Sequence, residues 1–271
     1  MASSLYRLIA IGAASPFSYE DGTAFTAEHQ SHIIGISIAY VVAIFAIQRF
    51  MKHRQAFELK GALQAWNLGL AVFSLWGAIV TGSQIWFEVK TRGLVASYCT
   101  RGGFYKGYCG FWTYLFCYSK VVELGDTFFI VLRKKPLIFL HWYHHIATLN
   151  YAVLTYIDGT AYNSYIVFLN FAVHSVMYSY YFLNASGIRL GRHIARCITC
   201  LQLTQFFVTT VLLIHMGFLM ITGGAKDCEV TITSYLYCVL MEISYIYLFG
   251  QFFKKNYTAK SDVSNVRRKF E

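Results

Sequence analysis

Three histidines, His141, His144 and His145, lie within an otherwise apolar run of this 271-residue chain. Residues at i, i+3 and i+4 share one face of a helix, so this spacing predicts a single stripe of three imidazoles. Ionisable side chains are costly in a hydrocarbon environment, and their presence there indicates function. Imidazole can act as a base, an acid, a nucleophile or a metal ligand near neutral pH. The run therefore predicts a histidine-centred site inside a membrane helix.

Polar residues recur at helical spacing in three other apolar segments. The three sets are Lys120, Glu123 and Asp126; Asn170, His174, Tyr178 and Tyr181; and Thr199, Gln202 and Gln205. The first set could instead be a buried ion-pair network that only joins helices. The glutamines could likewise be helix–helix contacts, the commoner role of an amide in a membrane span. Together with the histidines, these sets predict a ring of helices around a polar cavity.

Composition indicates an all-α, polytopic membrane protein. Hydrophobic residues make up 56% of the chain and charged residues only 13%, about half the usual share in a soluble protein. A membrane-crossing helix needs about 20 largely apolar residues. Seven segments meet this need, at residues 31–50, 64–87, 111–132, 137–157, 160–183, 194–221 and 231–253. We therefore predict seven transmembrane helices forming one catalytic domain over residues 31–253.

The distribution of charge predicts the orientation of these helices. Most of the 23 lysine and arginine residues fall on one side, which the positive-inside rule places in the cytosol. Residues 1–30 are then a lumenal N-terminal tail and residues 254–271 a cytosolic basic tail. Within that tail, Arg268 and Lys269 resemble a dibasic signal that returns membrane proteins to the endoplasmic reticulum. The net charge of +10 favours membrane surfaces and anionic substrates over nucleic acid, because aromatic residues do not interleave the basic clusters.

Three cysteines, Cys99, Cys109 and Cys228, fall in loops on the lumenal side of this topology. An oxidising lumen permits a disulfide between two of them. Spacing alone does not fix the pairing, and three free thiols are the alternative.

Two chemistries could use the histidine stripe. Neutral imidazoles bind zinc or iron, but metal-dependent membrane desaturases and hydroxylases need several histidine boxes, and this chain has one box plus His174. The remaining metal alternative is a single-metal site of His141, His145 and His174, with Glu123 or Asp126 as a further ligand. In acyl transfer, an unprotonated imidazole attacks a thioester and becomes acylated, while a second imidazole and an amide stabilise the developing negative charge. A seven-helix receptor or transporter, the non-enzymatic alternative, would explain the spans but not the gathered histidines. We expect acyl transfer without a metal.

Taken in chain order, the motifs resemble those of the very-long-chain fatty acid elongase family. Residues 120–205 match its patterns K-x-x-E-x-x-D-T, H-x-x-H-H, N-x-x-x-H-x-x-M-Y-x-Y-Y and T-x-x-Q-x-x-Q. The resemblance implies seven helices, six of which enclose a tunnel for an acyl chain. It also implies an acyltransferase, a 3-oxoacyl-CoA synthase that condenses a long-chain acyl-CoA with malonyl-CoA and releases CO2 and CoA. No cofactor beyond these substrates is expected.

The resemblance implies roles for individual residues. His144 would be the acylated nucleophile, His174 would position the thioester and the malonyl group, and Asn170 would assist decarboxylation. His141 and His145 would support the box. The remaining substrate-binding residues are expected to be Lys120, Glu123, Asp126, Tyr178, Gln202 and Gln205 around the tunnel, and Arg133, Lys134, Lys254 and Lys255 at the CoA phosphates.

Related elongases also carry cysteines at the positions of Cys99 and Cys228, which favours a disulfide between these two. The residues before the histidine box, Pro136 to Ile138, resemble the branch that elongates saturated, monounsaturated or branched chains. The expected surroundings are the endoplasmic reticulum membrane and its lipids. The expected partners are the ketoreductase, dehydratase and enoyl reductase of the elongation cycle, and a homodimer is left open.

Overall fold

The computed structural model describes residues 2–258 and contains only helices and loops over that range. The eleven α-helices are α1 (Ala2–Ala13), α2 (Tyr19–Glu28), α3 (Gln30–Met51), α4 (Lys60–Arg92), α5 (Leu94–Cys99), α6 (Gly107–Glu123), α7 (Gly125–Leu132), α8 (Phe139–Asp158), α9 (Asn163–Ala185), α10 (Arg192–Thr222) and α11 (Ile232–Phe253). A π-helical turn, Lys254–Thr258, follows α11.

Five of the described helices, α3, α4, α9, α10 and α11, are long and apolar enough to cross a bilayer. This confirms the prediction of a multi-pass membrane protein, but supports five of the seven predicted spans. The third predicted span divides into α6 and α7 at Leu124. The fourth corresponds to α8, which has 20 residues but carries three histidines and several other polar side chains.

The break between α6 and α7 has a local cause in packing. Gly125 begins α7 directly against the indole of Trp66, and a Cβ atom at this position would lie 2.6 Å from that ring. A similar close approach joins α4 to α9, where a Cβ on Gly77 would lie 2.6 Å from the ring of Phe171. Small residues at such contacts allow membrane helices to pack closely. These contacts hold α4 against the helices that carry the polar motifs.

The predicted N-terminal tail is largely helical. Its second helix, α2, packs beside α8, and the hydroxyl of Tyr19 donates a hydrogen bond of 2.7 Å to the carbonyl oxygen of Tyr156. The sequence did not indicate this contact, because residues 16–30 are polar and show no membrane-like pattern. The predicted retrieval signal at Arg268 and Lys269 lies outside the described residues.

One end of the bundle, here called the disulfide end, is closed by linked loops. A disulfide joins Cys99 to Cys228, while Cys109 is a free, buried thiol. The backbone N–H of Glu229 donates to the carbonyl oxygen of Cys99 at 2.7 Å, and its side chain pairs with Arg101 at 2.6 Å. Partial burial would raise the pKa of Glu229, but the hydrogen bonds and charge of Arg101 outweigh this effect and lower it. The end of α5 and the loop that follows it are thereby tied to the loop before α11.

Candidate active site

A cavity of about 640 Å³ lies in the opposite half of the bundle. Helices α4, α7, α8, α9, α10 and α11 supply most of its lining. The three box histidines, Asn170 and His174 all face it. The structure therefore brings the separate polar motifs to one internal surface.

The three histidines of the box have different surroundings. The Nε2 atom of His141 lies 2.9 Å from Oγ1 of Thr127, at hydrogen-bonding distance. The Nε2 atom of His145 lies 3.9 Å from Oδ2 of Asp126. The ring of His144 packs against Tyr245 with a centroid distance of 4.9 Å. Within residues 2–258, no side chain forms a hydrogen bond to the ring nitrogens of His144, so this imidazole can present a nitrogen to a substrate.

Behind the cavity wall, buried polar groups hold Asn170 and His174 in place. The ammonium of Lys120 donates to Oε1 of Glu123 and to Oδ1 of Asn170, both at 2.7 Å. The amide nitrogen of Asn170 lies 3.3 Å from Nε2 of His174, and Oε2 of Glu123 lies 3.7 Å from its Nδ1. Groups facing both ring nitrogens fix the orientation of an imidazole.

Lys120 and Glu123, which were expected to bind substrate, lie behind the wall of the cavity. Neither lines the described cavity, whereas Asn170 and His174 do. The side chains of Lys120 and Glu123 are 2% and 5% exposed, and they contact each other and these two neighbours. Any effect on a substrate would pass through Asn170 and His174.

Asp126 joins three helices beside the cavity. Its Oδ1 accepts a hydrogen bond of 2.6 Å from the indole of Trp66 on α4, and its Oδ2 accepts one of 2.7 Å from the hydroxyl of Tyr178 on α9. Both donors fix the carboxylate that faces His145. Tyr178 was expected here from the motif, but Trp66 was not. The only available signal was that a buried indole N–H usually needs a partner.

The two glutamines of α10 line the cavity as expected. The amide nitrogen of Gln202 lies 3.4 Å from the sulfur of Met177 on α9. Gln205 lies one turn further along α10, beside Phe206 in the cavity lining. Tyr181, the last member of the α9 set, also faces the cavity but is 44% exposed.

The predicted CoA-binding cations are not all at the mouth of the cavity. Arg133 lines it, and so does Lys135, which was not among the predicted residues. Lys134 turns away, with its ammonium 3.0 Å from the carbonyl oxygen of Arg54. The reason is a left-handed backbone at Lys134, with φ of 53°, that reverses the chain between α7 and α8. We call the end of the bundle with Arg133 and Lys135 the basic end.

The other two predicted cations, Lys254 and Lys255, lie in the π-helical turn after α11. Neither lines the described cavity, although Tyr257 of the same turn does. This turn is held near α10, where the guanidinium of Arg192 lies 5.9 Å from the centre of the Tyr257 ring. Both lysines therefore belong to the rim of the basic end.

The histidines do not group as metal ligands. Over the described part of the chain, no set of three His, Cys, Asp or Glu side chains has the arrangement of a metal site. His141, His145 and His174, the ligands considered from the sequence, face Thr127, Asp126 and Glu123 respectively. Catalysis without a metal stays a prediction.

Comparison with known proteins identifies the family. A family model described as "ELO: GNS1/SUR4 family" matches residues 25–265. The chain belongs to the ELO family of fatty acid elongases. It is 41% identical over 256 residues to "Long chain fatty acid elongase 1" of Caenorhabditis elegans, and this match covers 94% of this chain and 88% of that protein. It is also 42% identical over 226 residues to "Very long chain fatty acid elongase 6" of Homo sapiens, covering 83% of each.

These findings confirm the resemblance stated from the motifs. In this elongase-family protein, the motifs located the histidines, Asn170 and Asp126 on the cavity surface. They did not locate Trp66 or Lys135, because neither residue belongs to a polar stripe. Their positions depend on packing between α4 and α7 and on the turn after α7.

Proposed function

We propose that this member of the ELO family condenses a long-chain fatty acyl-CoA with malonyl-CoA during fatty acid elongation. The products would be 3-oxoacyl-CoA, CO2 and CoA. The observation that carries the proposal is the unbonded ring of His144, which faces the cavity beside the anchored pair Asn170 and His174. The names of the relatives, which are elongases of long and very long chains, support the same substrate class.

The first step would be acylation of His144. A ring nitrogen attacks the thioester carbonyl, a C–N bond forms and the C–S bond breaks. CoA leaves as the thiol, taking the proton that the imidazole ring releases. No cysteine is needed as nucleophile, and the three buried free thiols, Cys109, Cys117 and Cys238, do not line the described cavity.

The second step would use malonyl-CoA as the carbon nucleophile. Loss of CO2 leaves an enolate, whose carbon attacks the acyl carbonyl on His144 and forms the new C–C bond. The C–N bond to the ring breaks, and the released imidazole takes up a proton. Asn170 and His174 are placed to stabilise negative charge on the malonyl thioester oxygen, because buried residues already fix both side chains.

The two ends of the bundle would bind different parts of the acyl-CoA. Arg133 and Lys135 would bind CoA phosphates at the mouth, with Lys254 and Lys255 on the rim. The acyl tail would enter the bundle toward the disulfide end. The proposal also includes a location in the endoplasmic reticulum membrane with the basic end facing the cytosol. The substrates would be saturated, monounsaturated or branched chains, and the partners would be the other enzymes of the elongation cycle.

The direct test uses the purified full chain with labelled malonyl-CoA and a panel of acyl-CoAs, without reductant. We expect labelled 3-oxoacyl-CoA and release of one CO2 for each product. A protein that binds both substrates but releases no CO2 would refute the condensation. An oxidised or desaturated acyl product would instead favour the histidine-box alternative, and substrate transport without turnover would favour a transporter.

A further inference from the structure

Helix α3 lines none of the described cavity, yet one of its side chains reaches the histidine box through an intermediate. The Tyr40 side chain is 3% exposed, and its hydroxyl lies 2.6 Å from Oγ1 of Thr127 on α7. Thr127 is fully buried, and the same Oγ1 lies 2.9 Å from Nε2 of His141. A continuous chain of hydrogen bonds therefore runs from α3 to the first histidine of the box.

The available protons define the direction in which these hydrogen bonds are donated. Each hydroxyl has one proton to donate. If Tyr40 donates to Thr127, the Thr127 hydroxyl can donate to Nε2 of His141, and both hydroxyl protons have an acceptor. The ring proton is then on Nδ1 of His141, a side chain that lines the cavity, where solvent can accept it. In the reverse direction, the Tyr40 proton would have no acceptor among the side chains and carbonyl groups of residues 2–258. A buried donor without an acceptor is unfavourable, so the first direction is favoured.

We propose that Tyr40 is a positioning residue, which acts through Thr127 to hold His141 with Nε2 as the acceptor and the proton on Nδ1. The proposal deepens the proposed function and rests on it, because His141 stands one turn before the nucleophile His144. The His141 ring also packs edge-on against His145 at a centroid distance of 4.6 Å. A fixed His141 ring therefore also restricts the ring of His145, the residue that follows His144.

The Tyr40 ring is itself well placed for this task. It packs edge-on against Phe128, with a centroid distance of 6.3 Å, so the hydroxyl is aimed at α7 by contacts of the ring. The opposite face of α3 presents large apolar side chains outward, including Ile38 and Val42, each more than 60% exposed.

Two other inward contacts of α3 reach α8: the hydroxyl of Ser37 accepts a hydrogen bond of 2.9 Å from the amide of Asn150, and the ring of Phe45 packs edge-on against Trp142 at 5.8 Å. Among the hydrogen bonds of the described residues, only that of Tyr40 connects α3 to a histidine of the box.

The test compares Tyr40→Phe with a matched control, Tyr118→Phe. Tyr118 also pairs with a threonine, since its hydroxyl lies 3.0 Å from Oγ1 of Thr26, but that threonine donates to the carbonyl oxygen of Gly22 and does not reach the histidine box. We expect Tyr40→Phe to reduce kcat about fivefold, roughly the effect of losing one hydrogen bond between neutral groups, with little change in KM. Tyr118→Phe should leave kcat within experimental error of wild type.

A second readout does not depend on catalysis. In ¹⁵N-histidine spectra of the full chain in detergent or nanodiscs, with the His141 signals assigned through His141→Gln, wild type should carry the proton on Nδ1. Tyr40→Phe should give a mixture of tautomers, and Thr127→Ser should retain the wild-type form. The Tyr40→Phe/Thr127→Val double variant should lose no more activity than Thr127→Val alone, because both changes interrupt the same series of hydrogen bonds.

The outcomes separate this proposal from the proposed function. A wild-type proton on Nε2 of His141, or equal spectra and turnover for Tyr40→Phe and Tyr118→Phe, would overturn the positioning role even in an active elongase. Failure of wild-type condensation with the expected tautomer change in Tyr40→Phe would refute the function and leave the hydrogen-bond chain intact.

Discussion

The two ends of the bundle use polar residues in different ways. At the basic end, buried polar groups bond across helices, as Lys120 does with Asn170 and Trp66 does with Asp126, and they surround an open cavity. Toward the disulfide end, polar contacts tie loops together, as Arg101 does with Glu229, and the rings of Tyr151 and Tyr162 belong to a packed hydrophobic cluster. The contrast indicates that the basic end is organised for chemistry and the disulfide end for closure.

If this division is right, changes at the basic end should alter turnover or substrate affinity while leaving the fold intact. Changes at the disulfide end should alter stability first. The largest expected effect on turnover follows from His144→Ala, which removes the proposed nucleophile. We expect loss of condensation by about a thousandfold or more, as is typical when a nucleophile is removed. The melting temperature of the variant should stay close to that of wild type, and a comparable loss of stability would mean that His144 is structural.

The largest effect on stability should come from the disulfide. Replacing both Cys99 and Cys228 by alanine opens a loop of 129 residues, and closing so long a loop contributes about 5 kcal/mol in the chain-entropy account. Thermal unfolding in detergent should shift accordingly, whereas Cys109→Ala, at a free buried thiol, is the matched single-site control. An unchanged melting temperature in the double variant would show that the disulfide end does not depend on this link.

A smaller effect is expected at the mouth of the cavity. Neutralising Arg133 and Lys135 together by glutamine should raise KM for acyl-CoA about tenfold and lower kcat much less, because each removes a charged phosphate contact. Lys134→Gln is the internal control, since that ammonium faces backbone carbonyl groups instead of the cavity. A larger rise in KM from Lys134→Gln than from the pair would place the CoA elsewhere.

The smallest effect concerns pH and the Arg101–Glu229 pair. The pKa of Glu229 is lowered in the folded protein, so its contribution to stability is present above the unfolded pKa and lost as the pH falls through the folded pKa. Both side chains are 38% exposed, which keeps the contribution small. Glu229→Gln should therefore lose stability at neutral pH and less at acidic pH. A difference between the proteins that does not depend on pH would contradict this assignment.

Much of this arrangement could be predicted from the sequence, because lipid leaves few roles for polar residues in apolar runs. The stripe containing Asn170 and His174 and the histidine box were found by spacing alone. The break at Leu124 could not be found, because it depends on the indole of Trp66 lying against Gly125. Long-range packing also hid the contribution of Tyr40, because its hydrogen-bond partner is 87 residues away.

Lys134 shows a second limit of prediction from sequence. Three consecutive basic residues follow α7, and their spacing does not tell which of them faces the cavity. The left-handed backbone at Lys134 decides this, turning its side chain to the loop after α3 and leaving Arg133 and Lys135 at the mouth. A non-glycine residue with this conformation is uncommon, so it could not be predicted from the residue types in this turn.

The central claim is that His144 carries the acyl group between the two steps. Intact-protein mass spectrometry after mixing the purified enzyme with acyl-CoA alone, followed by peptide mapping, tests it most directly. We predict one acyl group per chain on His144, absent from His144→Ala and discharged by malonyl-CoA as 3-oxoacyl-CoA forms. An enzyme that condenses its substrates at full rate but shows no adduct under these conditions would contradict the account and indicate direct attack within a ternary complex.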